Sequence, residues 1–315
     1  MSPGRQLREL IAKRKFLVTP GLTTPLHAMI VERAGFEIVY TGGYDVSLTL
    51  FGLPDVGLIT ATEMVANARN IARAVKVPVI ADVDTGYGNA LNVIRTVQDY
   101  ESAGVAAIHI EDQVHPKKCG HVAGKQLISR EEAVGKLRAA IDRKADKDFV
   151  IIGRTDAIAA AGGGLDEAIA RGRAYADAGC DLVWPEFPSA SLEQPRQFAQ
   201  AMRQTHPELP LYFNYSANLN WAEHPASFEE IAALGFKVMH VSLCGMRTTM
   251  QAMWDYAVNL RQSGAQAEIE FQKQLSKHPM GKFHELARFP EFKALEEKYL
   301  PNEIFQARYE GAVGL

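Results

Sequence analysis

Short apolar runs rich in β-branched residues recur along the chain, and each run ends in glycine or in a polar residue. Continuous apolar runs of this kind are typical of strands that are buried on both faces of a parallel sheet. The pattern predicts eight strands, at residues 16–20, 37–41, 78–82, 106–111, 149–154, 181–186, 211–214 and 237–243. Between them Ala, Glu, Arg and Leu recur at spacings of three and four, which predicts helices such as 62–75, 92–103, 130–143 and 165–178.

A glycine follows several of the predicted helices shortly before the next strand, at Gly35, Gly104, Gly179 and Gly235. Glycine can end a helix in the left-handed conformation without a Cβ clash. Consecutive βα units produce this repeated order of helix, glycine and strand. Eight such units without a sign of a second domain predict a (β/α)8 barrel, with a doubly wound open sheet as the alternative.

The strand pattern stops near residue 245, and the rest of the chain is rich in Gln, Lys and Glu. Residues 248–260, 265–276 and 291–299 have the spacing of helices. We therefore expect residues 1–245 to form the barrel and residues 246–315 to form a helical extension.

The composition excludes several classes of protein. Of 315 residues, 47% are hydrophobic and 23% are charged, which is typical of globular chains rather than of disordered or collagen-like ones. A net charge of −3 gives no reason to expect nucleic acid or an anionic membrane as a partner. The three cysteines form no CxxC pair, and no apolar stretch is long enough for a secretory signal or a membrane span. We expect a cytoplasmic protein.

Polar residues gather at the predicted strand ends, which is where barrel enzymes carry their functional groups. This set comprises Asp82, Asp84, Glu111, Asp112, Arg154, Asp156, Glu186, Asn214 and Ser216. One acidic strand end could be a helix cap, but five strands with such ends are difficult to explain by capping alone. Crowded carboxylates raise one another's pKa unless a cation compensates. Oxygen ligands without His or Cys predict Mg²⁺, with Mn²⁺ as a possible substitute.

The segment HPKKCGHVAGK at residues 115–125 is a second candidate for chemistry. Two adjacent lysines should lower the pKa of the Cys119 thiol, and His121 could orient or exchange a proton. The alternatives are a loop cysteine among solvated lysines and a zinc knuckle, for which Cys-Gly-His supplies only two ligands. A basic loop facing an acidic rim suits a substrate with several carboxylates, and Arg154 would clamp one of them unless it forms a salt bridge within the barrel.

Other reactive residue types are predicted to have packing roles. We interpret Cys180 and Cys244 as core or rim residues, and His109 and His240 as buried histidines with satisfied hydrogen bonds.

Eight motifs occur in order between residues 35 and 245. They are GLPDVG (52–57), DVDTGYGNALNV (82–93), IEDQ (110–113), KKCGHVAGKQLI (117–128), GRTDA (153–157), DLVWPE (181–186), YFNYSANLNW (212–221) and LGFKVMHVSLCG (234–245). Together they resemble the isocitrate lyase/phosphoenolpyruvate mutase superfamily. The KKCGH motif resembles its lyase branch, which includes the isocitrate and methylisocitrate lyases.

The resemblance implies a (β/α)8 barrel in a homotetramer whose C-terminal helices are exchanged between subunits. It implies that Asp84 ligates Mg²⁺ directly and that Asp55, Asp82 and Glu111 hold its waters. Cys119 corresponds to the general acid of the family. The other residues matching family positions are Lys117, Gly120 and His121 on a mobile loop, and Arg154, Glu186, Asn214 and Ser216, which would bind or polarise substrate carboxylates.

The sequence departs from the family pattern near the second strand. Gly42 stands where Ser is usual, so that a hydroxyl is missing unless Thr41 supplies it, while the backbone amides of Gly42 and Gly43 could still bind a carboxylate. Asn218 and Ser242 stand where isocitrate lyases usually have Ser and Thr. These departures leave the choice of substrate open.

The leading hypothesis is an Mg²⁺-dependent carbon–carbon lyase that cleaves a 2-hydroxy di- or tricarboxylate. Isocitrate, 2-methylisocitrate and 2,3-dimethylmalate share the reacting unit, and the products would be glyoxylate or pyruvate plus a second carboxylate such as succinate. Tyr40 or a metal-linked carboxylate would remove the hydroxyl proton, and Cys119 would protonate the second fragment. The rivals are an oxaloacetate hydrolase or decarboxylase, a phosphonopyruvate-type enzyme, and a non-catalytic dicarboxylate-binding barrel.

Overall fold

The computed structural model describes residues 1–310 and contains a closed barrel in which all eight strands are parallel and are arranged in chain order. The strands are β1 (Leu17–Leu22), β2 (Val39–Thr41), β3 (Val79–Asp82), β4 (Ala107–Glu111), β5 (Val150–Thr155), β6 (Leu182–Pro185), β7 (Leu211–Tyr215) and β8 (Phe236–Val241). Every predicted strand is present, with its ends within two residues of the prediction. Because β8 pairs with β1, the sheet is closed and the open-sheet alternative is wrong.

Helices alternate with the strands, and further helices precede β1 and follow β8. They are α1 (Pro3–Lys13), α2 (Pro25–Arg33), α3 (Gly43–Phe51), α4 (Ala61–Ala74), α5 (Ala90–Ala103), α6 (Arg130–Arg143), α7 (Leu165–Asp177), α8 (Glu193–Thr205), α9 (Phe228–Ala233), α10 (Cys244–Ser263), α11 (Ala265–Leu275), α12 (Phe283–Leu286), α13 (Phe289–Tyr299) and α14 (Asn302–Tyr309). The sequence pattern did not predict α3, which begins directly after β2.

The glycines predicted to end helices adopt the left-handed conformation. The φ angles of Gly35, Gly104, Gly179 and Gly235 are 97°, 86°, 97° and 103°. A β-carbon is strained at these angles, so the prediction is confirmed for all four positions.

The interior of the barrel is built in layers, because alternate strands contribute side chains to the same level. Tyr40, His109, Trp184 and His240 come from β2, β4, β6 and β8, and their rings pack together, with Tyr40 and His240 only 3.9 Å apart between centroids. Aliphatic residues such as Leu182 fill the layers nearer the N-terminal ends of the strands. The aromatic layer therefore forms the floor beneath the polar strand ends.

The chain divides into two compact units, Met1–Thr248 and the part from Thr249 onward. The second unit consists of helices and exposes large apolar side chains, including Trp254 at 71% and Phe292 at 59% exposure. Within residues 1–310, no helix has the length and apolar character needed to cross a membrane.

Candidate active site

A cavity opens at the C-terminal ends of the strands and brings together most of the residues predicted for the site. Those lining it are Tyr40, Gly42, Gly43, Asp55, Asp82, Lys117, Cys119, Gly120, His121, Arg154, Glu186, Asn214, Ser216 and Ser242. Five predicted residues, Thr41, Asp84, Glu111, Asp112 and Asp156, do not line the cavity. Asp84 and Glu111 still contact residues that line it. Thr41 is buried, and within residues 1–310 its hydroxyl has no hydrogen-bond partner, so nothing in the structure supports its replacing the missing serine.

Asp82 is held at the end of β3 by two backbone amides. Its Oδ2 accepts a hydrogen bond from the Gly43 amide and its Oδ1 accepts one from the Asp84 amide, both at 2.8 Å. Burial alone would raise the pKa of Asp82, but the surrounding His109, Lys117 and Arg154 lower it below its usual value. Asp82 is therefore a fixed, ionised carboxylate.

Lys117 extends from the loop into the carboxylate group. Its Nζ lies 2.5 Å from Oδ1 of Asp55 and 2.9 Å from Oδ1 of Asp84. Burial lowers the pKa of Lys117, but Asp84 and Asp55 outweigh this effect and hold it well above its usual value. The ammonium group thus supplies positive charge among carboxylates that would otherwise repel one another.

Three of these carboxylates converge on the backbone of Gly43. A Cβ at this position would lie 3.1 Å from Oδ1 of Asp84, 3.2 Å from Oδ2 of Asp82 and 3.6 Å from Oδ1 of Asp55. Within residues 1–310, no three His, Cys, Asp or Glu side chains are arranged closely enough to form a complete ligand set. The three carboxylates near Gly43 nevertheless supply hard oxygen donors, the ligand type that Mg²⁺ prefers.

Arg154 is the centre of a buried ion-pair network that borders the same cavity. Its guanidinium forms two hydrogen bonds of 3.1 Å to Asp156 and lies 3.3 Å from Glu111 and 3.6 Å from Glu186. It also lies over the ring of Trp184, 4.7 Å from the centroid. Arg154 therefore forms the salt bridges within the barrel that were considered as its alternative role. Its guanidinium also borders the cavity, where it could contact a substrate carboxylate.

The loop 115–125 packs against the strand ends. Nε2 of His121 lies 3.2 Å from Oε1 of Glu186, and its Nδ1 lies 3.4 Å from the hydroxyl of Ser216. The buried Lys125 donates hydrogen bonds to the carbonyl of Gly120 and to Asp156. These contacts describe a loop that is closed over the cavity.

Gly120 is required by close packing rather than by its backbone angle. Gly120 is absent from the glycines with positive φ, whereas Gly124 on the same loop has φ 79°. A Cβ on Gly120 would lie 2.5 Å from Nη2 of Arg154 and 3.0 Å from Oδ1 of Asp156. The loop can therefore approach Arg154 only because residue 120 has no side chain.

The variant Gly120→Ala should lose activity while it remains folded. The added methyl group would keep the loop from closing, and a misplacement of about 1 Å in an active site can cost about 100-fold in rate. The control is Gly135→Ala in α6, where a Cβ would meet nothing within 4 Å. Steady-state kinetics of both variants check this, and equal rates would show that loop closure tolerates the methyl group.

The predicted effect of the loop lysines on Cys119 is wrong. Burial raises the pKa of the Cys119 thiol above its usual value, and the proximity of Lys117 does not reverse that shift. Lys117 is paired with Asp55 and Asp84, and Nζ of Lys118 donates to the carbonyl of Gly124. Cys119 is therefore a protonated thiol, which suits an acid better than a nucleophile.

Two histidines whose importance was not predicted lie beside the predicted base Tyr40 in the floor of the cavity. The Tyr40 hydroxyl lies 3.0 Å from Nε2 of His109, and the same nitrogen lies 3.5 Å from Oδ1 of Asp82. His240 is buried as predicted, but within residues 1–310 neither its Nδ1 nor that of His109 has a hydrogen-bond partner, so these histidines are not fully satisfied. The available signal was their position in the sequence. His109 lies two residues before Glu111 at the end of β4, and His240 lies two residues before Ser242, which follows β8.

Asp45 was also missed. It is buried in the first turn of α3 and lines the cavity. Burial, together with repulsion from Asp82 and Asp55, raises its pKa to about 8. The available signal was a single acidic residue in an otherwise uncharged stretch, residues 42–53.

The other two cysteines behave as predicted. Cys180 is buried in the core cluster and Cys244 is half-buried at the start of α10, and neither lines the cavity.

The sequence is similar to characterised proteins over most of its length. Residues 7–261 match the model of the phosphoenolpyruvate phosphomutase family. An isocitrate lyase from Haloferax volcanii is 42% identical over 300 residues, which cover 95% of this chain and 87% of the relative. A 2,3-dimethylmalate lyase from Eubacterium barkeri is 50% identical over 196 residues, which cover 62% of this chain and 67% of that protein.

Solved structures share the fold. A phosphoenolpyruvate phosphomutase from Streptomyces platensis subsp. rosaceus superimposes with a TM-score of 0.85 at 35% identity, covering 95% of this chain and 99% of that one. A structure of oxaloacetate acetylhydrolase with 3,3-difluorooxalacetate superimposes with a TM-score of 0.76 at 36% identity, covering 84% and 87% of the two chains.

Proposed function

The chain belongs to the phosphoenolpyruvate mutase/isocitrate lyase superfamily, and on this basis we propose that it is an Mg²⁺-dependent carbon–carbon lyase. Its substrate would be a 2-hydroxy di- or tricarboxylate of the isocitrate, 2-methylisocitrate or 2,3-dimethylmalate type. The products would be a 2-oxo acid, glyoxylate or pyruvate, and a second carboxylate.

The observation that carries this proposal is that a protonated cysteine lines the same cavity as a group of buried carboxylates. Cys119 and Asp82 line the cavity, and Arg154 and His121, which line it too, both lie close to Glu186. Cleavage of a 2-hydroxy acid requires a proton to leave one fragment and another to reach the second fragment. The cavity offers groups for each of these tasks.

The proposed metal site consists of Asp84 as the direct ligand, with Asp55, Asp82 and Glu111 holding waters. The convergence of three carboxylates on Gly43 supports it. A bound divalent cation would lower the pKa of the substrate hydroxyl and stabilise the oxyanion.

Tyr40 is proposed to take the hydroxyl proton. Burial raises the pKa of Tyr40 well above its usual value, so the phenol starts neutral and must give up its own proton as it accepts another. His109 is the group that could take the phenol proton, because its Nε2 lies 3.0 Å from the phenol oxygen. Asp82 would stabilise the positive charge that develops on His109.

Cys119 is proposed to donate the second proton. Breaking the C2–C3 bond leaves the electron pair on the departing carboxylate fragment, and Sγ of Cys119 would protonate its carbon. Arg154, His121, Glu186 and Asn214 would bind or polarise the carboxylate of that fragment, with Ser216 and Ser242 at the edge of the cavity. The amides and side chains of Gly42, Gly43, Lys117 and Gly120 would complete the substrate contacts.

A product assay tests the function. Isocitrate, 2-methylisocitrate, 2,3-dimethylmalate and oxaloacetate are each incubated with the protein and Mg²⁺, and glyoxylate, pyruvate, acetate and oxalate are measured. We expect one of the three hydroxy acids to be cleaved, and chelation of Mg²⁺ to reduce the rate at least about 100-fold, since metal activation contributes several kcal/mol. If oxaloacetate were the only acid to react, and it released acetate and oxalate, the protein would be an acetylhydrolase and not a lyase.

We also propose that the helical extension, residues 246–315, mediates contacts in a homotetramer. Its exposed apolar side chains, such as Trp254, Phe283 and Phe292, support this role because such surfaces usually mark interfaces. Light scattering of the whole chain measures the assembly, and a monomer would contradict the proposal. A cytoplasmic location is consistent with the three free cysteines.

A further inference from the structure

Lys125 is a buried lysine whose ammonium group has no part in the proposed chemistry. The residue is 1% exposed, whereas its neighbours in the loop, residues 122–124, are all exposed. A lysine is almost never buried to this extent unless its charge is paired. The position of the ammonium group is therefore specific, and its contacts show what it holds together.

The backbone of Lys125 is anchored at the end of the loop 115–125. Its carbonyl accepts a hydrogen bond of 3.1 Å from the amide of Ala161, which follows β5. Next to it, the carbonyl of Gln126 accepts a hydrogen bond of 2.8 Å from the amide of Val114, which precedes the loop. Residue 125 thus belongs to the part of the loop that is attached to the rest of the barrel.

The side chain of Lys125 extends from this anchored end toward the middle of the loop. Its Nζ donates a hydrogen bond to the carbonyl of Gly120, the residue after Cys119. It donates a second one, of 3.3 Å, to Oδ1 of Asp156. The ammonium group therefore joins the middle of the loop to the residue that directly follows β5.

Asp156 is held firmly by the barrel. Its backbone amide donates a hydrogen bond of 3.0 Å to Oδ1 of Asp112. Oδ2 of Asp112 in turn accepts hydrogen bonds from Arg171 and Tyr175. Both carboxylate oxygens of Asp156 also accept from Arg154, at 3.1 Å each. Lys125 thus connects the loop to the same carboxylate that positions the guanidinium at the cavity.

The hydrogen bond from Lys125 to Gly120 depends on the closed position of the loop. A Cβ on Gly120 would lie 3.0 Å from Oδ1 of Asp156, so the middle of the loop packs directly on this carboxylate. If the loop moved away, the ammonium group would lose the Gly120 carbonyl while it remained beside Asp156. A hydrogen bond that a buried charge fails to make is unfavourable, so the contact favours the closed loop.

We propose that Lys125 is a positioning residue that holds the loop 115–125 in its closed position and so keeps Cys119 at the cavity. The catalytic value of that position rests on the proposed function, in which Cys119 is the acid. The closure itself concerns the loop alone, and it can be measured without turnover.

The accessibility of the Cys119 thiol tests the proposal. The wild-type protein, Lys125→Met and the control Lys118→Met are treated with iodoacetamide, and the modification of each cysteine is followed by peptide mass spectrometry. Methionine keeps the apolar stem of lysine and removes the ammonium group. Lys118 lies on the same loop, but its side chain is exposed. Loss of a hydrogen bond from a charged group should raise the modification rate of Cys119 about tenfold in Lys125→Met, with no change in Lys118→Met.

Two outcomes would overturn the proposal. An unchanged rate at Cys119 in Lys125→Met would show that the ammonium group does not hold the loop. Modification of Cys180, which lies in the core, would show that the substitution loosens the whole barrel instead of opening the loop. Failure of the proposed function is separate, because it would be seen as absence of cleavage in the product assay and would leave the comparison of thiol rates valid.

Discussion

Replacing Cys119 with serine should lower the lyase rate about 100-fold to 10,000-fold, the range that general acid catalysis contributes. The serine hydroxyl is a far weaker acid than a thiol, so protonation of the departing fragment would be slow. The substitution is nearly isosteric and leaves the contacts of Lys117 and His121 intact, so binding should change little. Steady-state kinetics should show the loss in kcat rather than in KM.

The control for Cys119→Ser is Cys244→Ser, a half-buried cysteine outside the cavity, which should keep its full rate. A reaction that does not need this proton, such as decarboxylation of oxaloacetate, should survive the change at Cys119. Full lyase activity in Cys119→Ser would show that another group is the acid.

Replacing Arg154 with methionine should destabilise the fold by about 3–5 kcal/mol, because it leaves buried carboxylates without their counter-charge. Asp156, Glu111 and Glu186 all lie within 3.6 Å of the guanidinium and are almost wholly buried. Activity should also be lost, since the same guanidinium borders the cavity. Urea unfolding followed by circular dichroism measures the stability change.

Arg5→Met is the matched control for Arg154→Met. Arg5 pairs with Glu9 at 3.2 Å, but both side chains are more than half exposed. Exposed pairs contribute about 0–1 kcal/mol, so this variant should unfold close to the wild-type midpoint. If Arg154→Met were equally stable, the buried network would not depend on the arginine charge.

The barrel could be predicted from the sequence because each strand is a largely apolar run that ends in a polar residue or lies directly before one. The β4 segment Ala107–Glu111 illustrates this, since it is buried throughout and delivers Glu111 at its end. The helix α3 was missed because it begins directly after β2 with two glycines and has no side-chain cap.

The chemistry of the loop could be located but not characterised from the sequence. Two lysines are next to Cys119 in the sequence, but the position of the charged group at the end of a lysine side chain depends on the fold. Lys117 reaches carboxylates from two other segments, and burial of the thiol outweighs the remaining effect. Asp45 was missed for a related reason, because only the closed barrel brings α3 against the end of β8.

The position of Trp184 gives the cavity its own fluorophore. The indole lies in the aromatic floor, lines the cavity and carries the guanidinium of Arg154 on its face at 4.7 Å. Indole emission responds to nearby charge, and ligand carboxylates arriving at Arg154 would change the charge directly above this ring. The other two tryptophans, Trp221 and Trp254, do not line the cavity, so occupancy can be followed optically without a label.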